Sequence, residues 1–156
     1  MKFRLVDSVL EYKVKESIRG IKAVSFEEYQ LKQAFSETPA LPESLLMESL
    51  FQLGNWLIML SSDFTETGHV VQFSGAEFHN PLKPGEHLTL NIHVRNYQTD
   101  SIEFDGQADS GDRSIASCTG CTARLVAIDE YYNPSDMRVL FSEIYRPWEP
   151  TGNTEG

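Results

Sequence analysis

A chain of 156 residues, 40% hydrophobic and 23% charged, has the length and composition of one soluble globular domain with a proper core. Its formal net charge of −10 excludes the basic footprint that nucleic acid requires and predicts repulsion from anionic membrane surfaces. The longest apolar run, residues 45–60, is interrupted by Glu48, Gln52 and Asn55, so a membrane span is excluded as well.

Met1-Lys2-Phe3-Arg4 runs into mixed polar and apolar residues, which predicts no signal peptide and a cytoplasmic protein. Apolar pairs among charges then predict a short element over 5–10 and a strand over roughly 15–25. A helix is expected from Pro42, over 43–60. After Gly68 the texture changes to period two, with His69 at a turn before a strand. In "EHLTLNIHVRNY", Leu88, Leu90, Ile92 and Val94 alternate with Thr89, Asn91, His93 and Arg95, a half-buried strand. "SIEFDGQA" repeats the pattern after the turn "QTDS", and "DSGD" leads to a third strand over about 113–128.

That third strand carries Cys118-Thr119-Gly120-Cys121. A separation of three on a strand points the two thiols to opposite faces. No second cysteine pair completes a zinc site. The pair is therefore read as two reduced, small strand residues. "PSDMRVLFSEIYR", residues 134–146, places Met137, Leu140, Phe141 and Ile144 on one helical face. The Pro/Gly-rich end is read as a disordered tail over 148–156. The order strand, helix, then antiparallel strands predicts an α+β domain whose single sheet wraps one long helix.

The helix over 43–60 is apolar around most of its circumference, yet Ser44, Glu48, Gln52 and Asn55 stack at spacings of four, four and three. One reading makes this stripe a dimer seam or wet groove. The other makes Glu48 a carboxylate buried beside a substrate cavity, raised toward the pKa of a general acid. Free N–H groups at residues 43–45 would then hold a developing oxyanion.

These residues resemble the β-hydroxyacyl-acyl-carrier-protein dehydratases (FabZ/FabA-like) of the hotdog fold. Their signature runs His-Phe-Pro-Gly-x-Pro-x-x-Pro-Gly, with an acid fourteen residues after the His. Phe35, Pro39 and Pro42 fall on signature positions, Glu48 on the acid, and Gln52 on a Gln that commonly follows it. "FRLVDSVLE", "IKAV" and "AEFHNPLKPGEHLTL" resemble the family's opening, its next strand and the segment before its long strand, so about residues 3–128 are covered.

The resemblance implies an antiparallel hotdog domain over 1–130, with a C-terminal helical extension over 131–147. It also implies a site in which Glu48 is the acid, Gln52 supports it, and Phe35, Glu43, Ser44, Phe78 and His79 meet the substrate. The substrate would be an acyl thioester on acyl carrier protein or CoA, with no cofactor, in fatty-acid or related metabolism. The active site would be shared across a homodimer or higher oligomer.

Ala34 occupies the position of the catalytic His, Ser36 and Glu37 replace Pro-Gly, and Glu43 replaces a Gly at the helix start. Loss of a general base costs on the order of 10²–10⁴ in rate, so dehydration by this chain alone is expected to be impaired. The polar-face His87 and His93 are expected to be solvated, and His79 adjoins the segment the resemblance places near the acyl channel. Four scattered histidines without ligand spacing predict no metal site. Three functions follow: a dehydratase-like subunit, possible as a heterodimer with a His-bearing homologue; a thioesterase using Glu48; or a non-catalytic acyl-binding subunit. Docking an anionic carrier would require Lys83, Arg95, Arg113 and Arg124 to gather.

Overall fold

The computed structural model describes residues 5–24, 42–82 and 85–147. Strands β1 (Ser8–Lys13) and β2 (Ser17–Ala23) form a hairpin, and helix α1 spans Glu43–Ser61. Strands β3 (Glu66–Gln72), β4 (Gly75–Phe78), β5 (His87–Tyr97), β6 (Ser101–Ser110) and β7 (Arg113–Ala127) follow, then a 3-10 turn (Ile128–Glu130) and helix α2 (Pro134–Ile144). The strands form one antiparallel sheet in the order β1-β2-β5-β6-β7-β3, with β4 also on β7.

The alternation read in β5 and β6 places the core. Leu88, Leu90 and Ile92 are fully buried, as are Ile102, Phe104 and Ala108 on β6, while His87 and His93 lie exposed on the opposite face. The concave face wraps α1, whose Leu50, Leu53, Trp56 and Leu57 are buried against it. Burying each such side chain contributes about 1.5–3 kcal/mol relative to exposure. Gly54 lets the helix approach the sheet, since a Cβ there would stand 3.1 Å from Cζ of Phe104. The α+β architecture of one sheet around one long helix is the one expected.

Three local expectations are corrected. His69 does not sit at a turn; it lies within β3, paired with Arg124 of β7. The strand was expected to begin later because Gly68 interrupts its pattern. A side chain there would collide with Ile58 and come within 2.7 Å of the Asn55 Oδ1 atom, so helix contact excludes one. The cysteines of β7 do not point to opposite faces either. Cys118 pairs with Gly106 and Cys121 with Phe104, so three steps on β7 oppose two on β6. Gly120, at φ +61°, supplies the extra residue of this bulge. Both thiols therefore face the core, fully buried, with sulfurs 3.0 Å apart.

The third correction concerns the end of α2, which stops at Ile144. Tyr145 instead bridges to Val9 of β1, and the Arg146 N–H donates to the Val9 carbonyl at 2.8 Å. The helix begins on Pro134 after Asn133, whose side chain accepts the Asp136 N–H. Phe141 inserts between Tyr12, Trp56, Phe64 and Tyr145, with ring centroids 5.1–6.5 Å away. Arg138 lies over the Phe64 ring at 4.7 Å and pairs with Asp63. The C-terminal extension thus packs on the core at the end of α1. The tail read over 148–156 lies outside the described residues.

Candidate active site

Among the described residues no strand pairs with the outer edge of β3, which runs beside α1, and three residues seven apart, two on the helix and one just past it, face that side. Seven residues bring a helix back to within about 20° of the same face. Ser62, just past α1, accepts the Glu66 N–H at 3.0 Å, and Asn55 accepts the Gly68 N–H at 3.1 Å. Strand alternation turns the Val70 N–H toward the same edge. Glu48, the third residue of the series, and Val70 line one opening between helix and strand.

The opening is a groove of about 480 Å³. Glu48, Phe51 and Asn55 form its helix wall, and residues 67–73 its strand wall. The rings of Phe51 and Phe73 lie 6.0 Å apart and make its apolar part. His69 and Tyr131, with ring centroids 6.2 Å apart, stand at the rim. The groove therefore combines one carboxylate, Glu48, and two carboxamides, Asn55 and Gln72, with aromatic and aliphatic walls, suited to an apolar chain ending in a polar group.

The polar stripe read from the sequence divides in two. Gln52 is about 60° round the helix from Asn55, and that angle gives it a different neighbour. Its Oε1 accepts the Leu5 N–H at 3.0 Å, with the residue 8% exposed, so Gln52 secures the N-terminal segment and does not line the groove. Glu48 itself is exposed, not buried as the second reading of the stripe required, and among the described residues no further strand pairs with the β3 edge beside it.

Glu43 and Ser44 are exposed in the first helical turn. The amide of Leu45 is not free, since it donates to the Pro42 carbonyl at 3.0 Å. That bond leaves the amides of Glu43 and Ser44 as the first-turn donors with no partner inside the helix. Phe78 and His79 stand away from the groove, at the end of β4, both exposed, with the His79 N–H on the Ile115 carbonyl. Ala34 and Phe35 lie outside the described residues.

Phe51, Asn55, His69, Val70 and Phe73 are among the groove residues that the sequence did not assign as site residues. Asn55 was legible as part of the stripe; His69 was not, because the strand was expected to begin only after it. Two of the cations expected to serve docking are already engaged. Arg95 pairs with Asp105 and Arg113 with Glu86, Arg124 is exposed on β7, and Lys83 lies outside the described residues. Among the described residues no cluster of three His, Cys, Asp or Glu is placed to hold a metal ion. Nor is any described helix long and apolar enough to cross a membrane.

Comparison with known proteins gives a consistent picture. The model of the FabA-like domain matches residues 1–119. The 3-hydroxyacyl-[acyl-carrier-protein] dehydratase FabZ of Oleidesulfovibrio alaskensis is 33% identical over 109 residues, covering 68% of this chain and 71% of that one. The FabZ of Caulobacter vibrioides is 32% identical over 117 residues, covering 73% and 74%. Among solved structures, a hot-dog-like protein from Thermanaerovibrio acidaminovorans superposes with a TM-score of 0.61 at 17% identity, over 83% of this chain and 91% of that one. A hypothetical thioesterase from Streptococcus pneumoniae, solved with coenzyme A, gives 0.59 at 12% identity, over 77% and 85%. At these identities the structural likeness establishes the hotdog fold.

Proposed function

The chain belongs to the FabA-like family of hotdog proteins, and from that premise we propose that its groove binds 3-hydroxyacyl thioesters carried on acyl carrier protein or CoA. The observation that carries this reading is Glu48 in the wall of an open groove whose other surfaces are largely aromatic and aliphatic. The acyl chain lies along Phe51, Val70 and Phe73. The protonated carboxyl of Glu48 gives its proton to the 3-hydroxyl, which leaves as water. The first-turn amides of Glu43 and Ser44 receive the charge that develops on the thioester oxygen.

The step this chain lacks is removal of the α-proton, because Ala34 stands where the family has its histidine. A single type of chain is therefore an impaired dehydratase. A His-bearing homologue paired with it would supply the base while Glu48 supplies the acid. Val71 on β3 and Phe73 just past it are 52% and 46% exposed, and apolar exposure beside an edge strand suits pairing with a second subunit. Such pairing would cover Glu48 and dry the groove.

The test is Ala34→His, assayed for hydration and dehydration of enoyl and 3-hydroxyacyl thioesters. The expected gain is on the order of 10²–10⁴, the usual contribution of a general base. Adding Glu48→Gln should remove that gain. No gain in Ala34→His, in protein that still binds an acyl thioester, refutes the assignment of position 34; a gain that survives Glu48→Gln refutes the role of Glu48.

Thioester hydrolysis is the second reading, favoured by one observation. Glu48 is the sole carboxylate among the described residues of the groove wall, and a carboxylate acting on water needs no histidine. Thiol release from acyl-CoA by the native chain, abolished in Glu48→Ala, would select it over dehydration.

A further inference from the structure

The buried thiols of β7 lie outside the groove, and no role proposed for it uses them. We propose that Cys118 and Cys121 are a peroxide-responsive dithiol that closes to a reversible disulfide within the strand. The extra residue at Gly120 brings both sulfurs to one face at 3.0 Å. A disulfide needs about 2.05 Å, so closure requires an approach of about 1 Å.

The bulge is held from outside the pair. The Gly120 N–H donates to Oδ1 of Asp105 at 2.9 Å, and Asp105 is paired with Arg95. On the other side, Ser74 donates its N–H to the Thr119 carbonyl at 2.9 Å. The thiols thus meet because the backbone is fixed there.

The two sulfurs are not equivalent. Cys121 donates its S–H to Cys118. That bond lowers the Cys118 pKa, with a backbone hydrogen bond from Gly106 assisting and burial opposing. The same bond, together with burial, pushes Cys121 up. A sulfur that accepts its neighbour's S–H is the better placed thiolate, so Cys118 is the sulfur that attacks and Cys121 the one that resolves.

Burial selects the oxidant. Cys118 is 1% exposed and Cys121 fully buried, so a bulky disulfide cannot form a mixed disulfide without opening the sheet. Hydrogen peroxide is small and uncharged. Cys118 thiolate attacks one peroxide oxygen, the O–O bond breaks, and Cys118 becomes a sulfenic acid as hydroxide leaves. Cys121, losing its proton, then attacks the Cys118 sulfur and expels the second oxygen as water. Two thiols and one peroxide become one disulfide and two waters.

The pair sits under the helix that carries Glu48. A Cβ placed on Gly106 would lie 3.1 Å from the Cys118 sulfur and 3.3 Å from Cδ2 of Leu50, so sulfur and helix share one packed spot. Closure would move a sulfur at that spot.

The chain has two cysteines, so thiol counting is unambiguous. The full chain, reduced and freed of reductant, is treated with hydrogen peroxide and read by intact mass and by thiol titration after unfolding. The expected result is loss of two hydrogens and of both thiols together, reversed by dithiothreitol, with glutathione disulfide far slower. Cys121→Ser should instead add one oxygen at Cys118, trapped by dimedone, and then oxidise further. The proposal is overturned if the folded native chain gains oxygens without pairing its thiols. It is equally overturned if both thiols survive while the urea-unfolded chain forms the bond under the same peroxide.

Discussion

Gly120→Ala tests the bulge on which the placement of Cys118 and Cys121 depends. Two costs can be worked out separately. At φ +61° the residue is in the left-handed region, and placing an L side chain there costs roughly 1–2 kcal/mol. The new methyl group would also strike the Ser74 hydroxyl and lie 2.9 Å from Cβ of Ser74. Ser74 cannot retreat freely, because its N–H is tied to the Thr119 carbonyl. Overpacking of this kind costs about 1–3 kcal/mol, so the sum is about 2–5 kcal/mol. Urea unfolding should show a lower midpoint with an unchanged slope, since the denatured state is not altered in extent. In the Ser74→Gly background the steric part should vanish and the dihedral part, about 1–2 kcal/mol, should remain. A Gly120→Ala protein within about 0.5 kcal/mol of the native chain, the range of an ordinary surface change, would refute the bulge as described.

Phe141→Ala should cost about 3–5 kcal/mol, because the ring is buried among four aromatic rings of β1, α1 and the segments beside them. Limited proteolysis should then cut α2 first, and an unchanged cutting pattern would contradict its packing on the core. Tyr97→Phe should be neutral or stabilising by up to about 1–3 kcal/mol, because its hydroxyl is buried with no hydrogen-bond partner. Burial raises the Tyr97 pKa above 10.0, with Glu66 adding to the shift and Ser61, near it but outside hydrogen-bond geometry, offsetting part. The folded chain therefore holds this proton longer than the unfolded chain. Stability is full below the unfolded value and falls as pH rises through it toward the folded value. Denaturation midpoints on either side of about pH 10 should fall less steeply in Tyr97→Phe, and parallel slopes would contradict the shift.

Much of the fold was legible in the chain. Period-two alternation in β5 and β6 named the core residues, and the apolar stretch after Pro42 named α1, because those elements bury one defined face and their pattern records it. The family resemblance rested on the segments that feed that helix. The start of β3 was illegible for the opposite reason: Gly68 answers to Ile58 and Asn55 of the helix, contacts that no local pattern encodes. The groove stayed hidden with it, since one wall is that strand, and so did the position of His69.

The sequence by itself determined an α+β domain around one helix and a family resemblance in which Glu48 and Ala34 stand at the positions of the acid and the histidine. Those depend on residue identity and near-neighbour spacing. Only the tertiary structure decided that Gln52 holds the N-terminal segment while Asn55 holds β3, because about 60° of helical rotation separates two residues that spacing alone had stacked together. It also decided that Cys118 and Cys121 touch. One inserted residue reverses a strand's facing, and whether a glycine inserts it is settled by Asp105 and Ser74, far from it in the chain.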